Sequence, residues 1–411
     1  VPKSVTTSRR GYATFFLLGP AFVAAIAYVD PGNVAANLTA GAKYGYLLLW
    51  VLIVANVIAL LVQYQSAKLG IVTGRSLPEI LGERLKTGPR RIYWVQAELV
   101  AAATDIAEVL GGAIALYLLF GIPLLAGGVI VGIASMVLLA VQSRRGQRTF
   151  EIVIVTLLAV IVVGFMTGLF FSGVDAGEAV AGIVPRFEGV DSVLLATSML
   201  GATVMPHVIY LHSALARDRH GVTREPGRIR ELLKATRWDV GAALIVAGAV
   251  NISMLLLAAS ALRGIEGTDT IEGAHAAVVS TLGPVVGVIF AVGLLASGLA
   301  STSVGTYAGS AIMGGLLKVR VPLLLRRVIT LVPALVILAV GFDPTQALVL
   351  SQVVLSFGIP FALVPLVWLA SSKRELGEFA NAPWLRWAGW ISAGLISVLN
   401  VLLIVLVIVG G

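Results

Sequence analysis

Uninterrupted apolar runs of twenty residues or more recur from one end of this sequence to the other. Each is long enough to cross the roughly 30 Å of hydrocarbon in a bilayer as an α-helix. The runs are continuous and do not alternate every second residue, which argues against a β-barrel. Only 12% of the 411 residues are charged, against roughly 25% in soluble domains. Most of the surface of such a chain cannot face water. No polar stretch is long enough to form a soluble domain, so a single transmembrane domain over 1–411 is expected.

Eleven spans are predicted, at about 12–38, 47–70, 92–119, 122–142, 149–172, 192–216, 237–262, 276–316, 326–342, 345–370 and 385–409. The connections alternate in charge. Of the 29 Lys and Arg residues, 26 fall in the N-terminal tail, 68–91, 144–148, 217–237, 318–327 and 373–386. The tail carries Lys3, Arg9 and Arg10, and the third of these segments Arg144, Arg145 and Arg148. The opposite side holds Lys43, Arg186 and Arg263 among acidic loops. Basic loops stay on the cytoplasmic side, so the net charge of +8 reads as topology and not as nucleic-acid binding. The N-terminus is expected inside, the C-terminus outside, and the whole chain in the plasma (inner) membrane. Val1–Arg10 is polar and basic, and no cleavable signal is expected. Cysteine is absent, which excludes disulfides and thiolate metal sites.

A short echo relates the halves. Ala27-Tyr28-Val29-Asp30-Pro31 and Ala202-Thr203-Val204-Met205-Pro206 share the pattern A-x-V-x-P, 175 residues apart. They fall within the first and sixth spans, which run in opposite directions. That is the pattern of an inverted repeat, helices one to five (12–172) against six to ten (192–370), with an eleventh helix (385–409) appended. Proline removes a backbone donor and clashes with the carbonyl one turn earlier, and Pro31 is followed by Gly32. Both spans should therefore break at mid-membrane. Unwound backbone is tolerated there only where it is buried in protein or lines a cavity. The breaks would present the Asp30 carboxylate, the Asn33 amide oxygen, the Met205 thioether and the carbonyls of Ala27 and Ala202. Oxygen donors suit hard cations and a thioether a softer one, so the mixed set favours a divalent transition metal. Taken alone, Asn33 could equally cap the second half of its helix, and Met205 could be packing.

Glu98, Asp105 and Glu108 lie within about 80° on one face of the third span. Acidic groups inside a membrane seldom face lipid, and a carboxyl held away from water exchanges protons nearer neutral pH. Structural ion pairing is the plainer reading and a proton relay the sharper one. The eighth span is crowded with small residues (Gly298, Ser301, Ser303, Gly305, Gly309, Ser310, Gly314, Gly315), which close packing explains. No phosphate loop or metallohydrolase motif occurs.

Asp30-Pro31-Gly32-Asn33 and Met205-Pro206-His207 resemble the two signature motifs of the Nramp family of divalent metal transporters. The segments Gln96-Ala97-Glu98, Thr104-Asp105-Ile106-Ala107-Glu108 and Leu350-Ser351-Gln352 are similar too. The likeness runs over about 12–409. It implies an all-α LeuT-type fold with discontinuous helices 1 and 6, and a secondary transporter rather than an enzyme. It further implies proton-coupled import of Mn2+ or Fe2+, with Cd2+ and Co2+ also carried. The metal is cargo, so no resident cofactor is expected, and the chain is expected to act as a monomer in lipid. The resemblance implies metal held by Asp30, Asn33, Met205 and the Ala27 and Ala202 carbonyls, joined by Gln352 as the site closes. It also supports a proton path through Asp105 and Glu108, with His207 near the entrance and Arg326 or Arg327 toward the cytoplasm; Glu98, on the same helix face, is expected to join it. A sodium-coupled symporter of an organic substrate on the same fold is the alternative; Met205 opposite Asp30 argues against it.

Overall fold

The computed structural model describes residues 19–145, 147–319 and 321–410, with side chains outside 141–148 and 410. Lys3, Arg9, Arg10 and Arg320, the side chains of Arg144, Arg145 and Arg148, and the 12–18 start of the first predicted span lie outside the described residues. Among the described residues the regular structure is entirely helical.

The first span is two half-helices, α1 (Pro20–Ala27) and α2 (Pro31–Tyr44). Then come α3 (Leu49–Thr73), α4 (Leu77–Arg84), α5 (Thr87–Phe120), α6 (Leu124–Arg145), α7 (Gln147–Met166) and α8 (Ala176–Ala181). The sixth span is again two halves, α9 (Gly189–Thr203) and α10 (Pro206–His220). The rest comprises α11 (Pro226–Ala261), α12 (Ile271–Leu282), α13 (Pro284–Leu317), α14 (Leu323–Ala339), α15 (Pro344–Ala370), α16 (Lys373–Leu376) and α17 (Pro383–Gly410).

Eight stretches among the described residues are long and apolar enough to cross a membrane; Leu124–Ala140 is a shorter apolar helix. Large apolar side chains such as Ile152, Val163, Val336, Ile391, Val398 and Val405 point outward, as expected where the solvent is lipid. The most hydrophobic window of Gly189–His220 is 94% buried, whereas that of Pro383–Val409 is 33% buried. The broken sixth span is therefore central and the last helix peripheral.

Two sequence expectations need correcting. The predicted 276–316 helix is two: Gly283 has φ 96°, a left-handed value that glycine tolerates, and it separates α12 from α13, which restarts on Pro284. The hydroxyl of Thr270 accepts from the Gly273 N–H (3.1 Å) and caps α12. Lys68 is not a loop charge either. It is buried within α3, where its ammonium donates to the Asn381 side chain. The small residues of α13 do serve close packing: Gly298 lies against the backbone of Gly112, and Gly315 against that of Pro78 and Glu79.

Candidate metal site and buried acid row

Proline dictates both breaks. Pro31 and Pro206 cannot donate to the carbonyls of Ala27 and Ala202 four residues earlier. At the first break the helix tightens, with Tyr28, Val29 and Asp30 N–H donating three residues back, the last to Ala27 O at a long 3.4 Å. Asp30 then turns extended (φ −69°, ψ 167°) and caps α2. Its Oδ1 accepts from both the Asn33 backbone N–H and the Asn33 side-chain Nδ2, each at 2.8 Å. Asp30, rather than Asn33, is thus the cap. At the second break, Asn33 Nδ2 donates to Ala202 O at 2.9 Å, and Thr203 Oγ1 lies 3.5 Å from Asn33 Oδ1. One side chain therefore ties the two breaks together.

Met205 occupies the N-cap position of α10, makes no side-chain capping hydrogen bond there, and is completely buried. Gln352 of α15 lies over the seam. A Cβ on Gly32 would strike its side-chain amide, and one on Gly201 would strike its carbonyl oxygen. Two acceptors here, Asp30 Oδ2 and Gln352 Oε1, are buried without a hydrogen-bond partner. Such atoms are costly unless something positive meets them. Among the described residues no group of three or more His, Asp or Glu side chains is placed to hold a metal. A cation here would instead draw on one carboxylate, amides, carbonyls and a thioether.

Sequence reasoning passed over the residues that hold the unwound segment open. Asn251 of α11 donates to Tyr28 O (2.7 Å) and accepts from Asn37 Nδ2 (3.0 Å). Ser297 of α13 donates to Val29 O (2.6 Å). The legible signal was an amide, Asn251, alone in an otherwise apolar stretch of its span.

The three acids of α5 do share a face, and the arginines of α14 come to meet them. Asp105 Oδ1 lies 3.4 Å from Arg327 Nη1, with both side chains buried. Arg327 Nε also donates to Ser135 Oγ at 2.8 Å. Glu98 binds Arg326 with two contacts, 2.6 and 3.2 Å, and is the wetter end of the row, its side chain 24% exposed. Glu108 lies deepest, and both its oxygens are buried without a hydrogen-bond partner. Gly305 of α13 packs against that carboxylate. Arg326 and Arg327, expected toward the cytoplasmic end of the proton path, are both buried in α14 and paired with acids. His207, expected near the entrance of the proton path, lies beside α5. It is buried directly after Pro206, with Nδ1 3.3 Å from Thr104 Oγ1 and Nε2 unpartnered.

The family model described as Natural resistance-associated macrophage protein-like, Nramp, matches residues 21–406. The divalent metal cation transporter MntH of Mycobacterium tuberculosis (strain ATCC 25618 / H37Rv) is 59% identical over 397 residues, covering 97% of this chain and 93% of that one. The crystal structure of the Eremococcus coleocola manganese transporter, in complex with an aromatic bis-isothiourea compound, superposes with a TM-score of 0.86. It is 31% identical, and the match covers 98% of this chain and 88% of that one. MhsT in complex with L-phenylalanine, at 16% identity and a TM-score of 0.64 over 93% of this chain and 98% of that one, shares the fold alone. With two helices broken at facing prolines, a LeuT-type fold and a family match over nearly its whole length, this chain is a multi-pass membrane transporter of the Nramp family.

Proposed function

We propose that this chain is a secondary active transporter that carries divalent transition-metal ions inward together with protons. Mn2+ and Fe2+ are the principal cargo, with Cd2+ and Co2+ also accepted. The observation that carries the reading is the pair of partnerless buried acceptors, Asp30 Oδ2 and Gln352 Oε1, at two facing helix breaks beside Met205. The ligand set is Asp30, Asn33, Met205 and the carbonyls of Ala27 and Ala202, with Gln352 added as the site closes. Asn33 must turn its amide for this. Its Nδ2 now bridges Asp30 and Ala202, and a half-turn offers Oδ1 to the ion instead. A single carboxylate leaves the ion incompletely neutralised, which suits release. The names of the similar proteins, a divalent metal cation transporter and a manganese transporter, support the same reading.

Protons follow a separate route. Metal binding at Asp30 displaces any proton held there. Glu108, Asp105 with Arg327, and Glu98 with Arg326 form a row along about 15 Å of α5 toward the basic end of the bundle, and His207 lies on the neighbouring face. The basic end is cytoplasmic, which places the N-terminus inside and the C-terminus outside the plasma membrane. Eleven spans, two inverted five-helix units (12–172 and 192–370) and a final helix complete the architecture, and the unit of function is the monomer.

The test is uptake into proteoliposomes. Mn2+ or Cd2+ should quench a lumenal metal-sensitive dye while a pH dye reports lumenal acidification. Metal entry with no acidification overturns proton coupling, and no metal entry in the presence of an inward gradient overturns the cargo.

A further inference from the structure

At the basic end of the bundle, α15 and α17 approach each other closely. A Cβ on Gly389 would lie 2.6 Å from a methyl of Val367, so the bare glycine backbone sets the spacing. Three tryptophans stand along the rim of this seam: Trp368 of α15, and Trp387 and Trp390 of α17, three residues apart and so on one face. All three are exposed. Together with Ser371, Ser372 and Arg386 they line a cavity of about 490 Å³, within the range of about 300–1,000 Å³ typical of small-ligand clefts.

Charge around the cavity is not balanced. Glu375 is taken by Arg84 and by Arg75 (3.4 Å), and Glu378 by Arg230 (2.7 Å). Arg84 also stacks over Trp368, 4.9 Å from the ring centre. Arg386 stands 5.9 Å from the centre of the Trp387 ring and, like Lys373 and Arg374, has no ion pair among the described residues. Ser371 Oγ accepts from Asn381 Nδ2 at 3.3 Å, which leaves its own proton available for a ligand in the cavity.

Tryptophan rings settle at the boundary between hydrocarbon and water. A guanidinium matches two oxygens of a phosphate with its forked N–H groups. Basic pockets between helices at the membrane surface take anionic lipid headgroups. We propose that this cavity is a binding site for one anionic phospholipid of the leaflet that this end faces. Its phosphodiester is held by Arg386 and the Ser371 and Ser372 hydroxyls, and its glycerol and upper acyl segments lie against the three tryptophans. The site is separate from the metal site and does not depend on cargo or on which leaflet it faces.

Native mass spectrometry of the purified full chain tests this, with phosphatidylglycerol and phosphatidylcholine of the same acyl chains as probes. Both lipids carry the phosphodiester, but the quaternary ammonium of phosphatidylcholine cancels its charge and is repelled by Arg386, so the wild type should hold one phosphatidylglycerol about tenfold more tightly than phosphatidylcholine, equivalent to 1.4 kcal/mol. Arg386→Gln should lose that preference, and Lys318→Gln, a basic surface residue outside the cavity, should keep it. Trp387→Ala should weaken both lipids, which keeps the test open if Arg386→Gln does not fold. Equal retention of the two lipids by the wild type, an unchanged preference in Arg386→Gln, or unchanged binding in Trp387→Ala overturns the site. Displacement of the lipid by millimolar inorganic phosphate assigns the cavity to free phosphate and overturns the lipid reading.

Discussion

The side-chain nitrogen of Asn33 lies 2.9 Å from the carbonyl oxygen of Ala202, 169 residues away, and 2.8 Å from the carboxylate of Asp30. Positioned between a carboxylate and a carbonyl, that NH2 group fills the role a cation would fill. The amide is then both the latch between the two broken helices and a ligand in waiting. Asn33→Ala should remove both roles. Mn2+ uptake should fall by tenfold or more, and the loss of buried hydrogen bonds should lower stability by about 1–3 kcal/mol. Uptake rates and a thermal shift in detergent measure the two effects, and wild-type uptake would sink the ligand assignment.

Much of this was legible in the residue order because membranes simplify the code. Continuous apolar runs can only be helices there, and a proline in the middle of one has few outcomes. Pro31 and Pro206 therefore announced the breaks, and Asp30 announced where they matter. The latch itself was not legible. Nothing local tells Asn33 from a cap, and the choice is made by Ala202, which comes near only after seven further helices, α3 to α9, have formed. The acids that meet Arg326 and Arg327 were not legible for a related reason. A basic pair at the edge of an apolar run looks like a topological signal, and only the tertiary approach of α14 to α5 shows that Asp105 and Glu98 balance them. The break at Gly283 was missed although Gly283-Pro284 is itself a breaking dipeptide, because the apolar run that resumes at Val285 reads as a continuation of the same span.

The thioether of Met205 can be separated from its volume. Met205→Leu conserves size and should cost less than about 1.5 kcal/mol in stability, yet it removes the one soft donor. Preference for Cd2+ over Ca2+ in competition uptake should fall by about tenfold, equivalent to 1.4 kcal/mol, with Mn2+ less affected. An unchanged Cd2+ preference in a folded Met205→Leu protein rules out sulfur as a ligand.

Gly32 and Gln352 should show coupled effects. The space a Cβ on Gly32 needs is filled by the Gln352 side chain, so Gly32→Ala must push that side chain off the seam and slow transport. Gln352→Ala alone removes a ligand and should also slow it. If the two residues meet only through this contact, the double variant should be no slower than Gln352→Ala. Losses that multiply in the double variant would show that Gly32 matters for another reason, and a double-mutant cycle on uptake rates reads the difference.

At the basic end, Glu79 predicts a pH effect on stability. Burial works against its charge, but the Ser76 N–H, 2.7 Å from Oε2, and the Arg217 guanidinium outweigh it and hold the carboxyl below its usual 4.5. A carboxyl depressed in the folded state stabilises above its unfolded value and loses that contribution as pH falls through the folded one. The thermal midpoint of wild type should therefore exceed that of Glu79→Gln at neutral pH, and the gap should close as pH drops below 4.5. A gap that persists undiminished at pH 3 would show that the charge is not its source.

Asp105 and Arg327 carry the sharpest test of the proton route. Their ion pair, 3.4 Å apart and out of water, is the kind whose breaking on one side costs about 3–5 kcal/mol, because the surviving charge is left without a partner. Asp105→Asn alone will therefore confuse stability with coupling. Asp105→Asn combined with Arg327→Gln removes the stranded charge and should recover most of the thermal stability. It leaves Glu108 and Glu98 in place but cuts the row between them. Metal should still reach Asp30 and bind, so uptake driven by a membrane potential should persist while protons entering per metal ion fall several-fold. Parallel dye measurements in proteoliposomes read that ratio. A double variant that is stable, transports metal and still acidifies the lumen at the wild-type ratio would place the proton path elsewhere than α5.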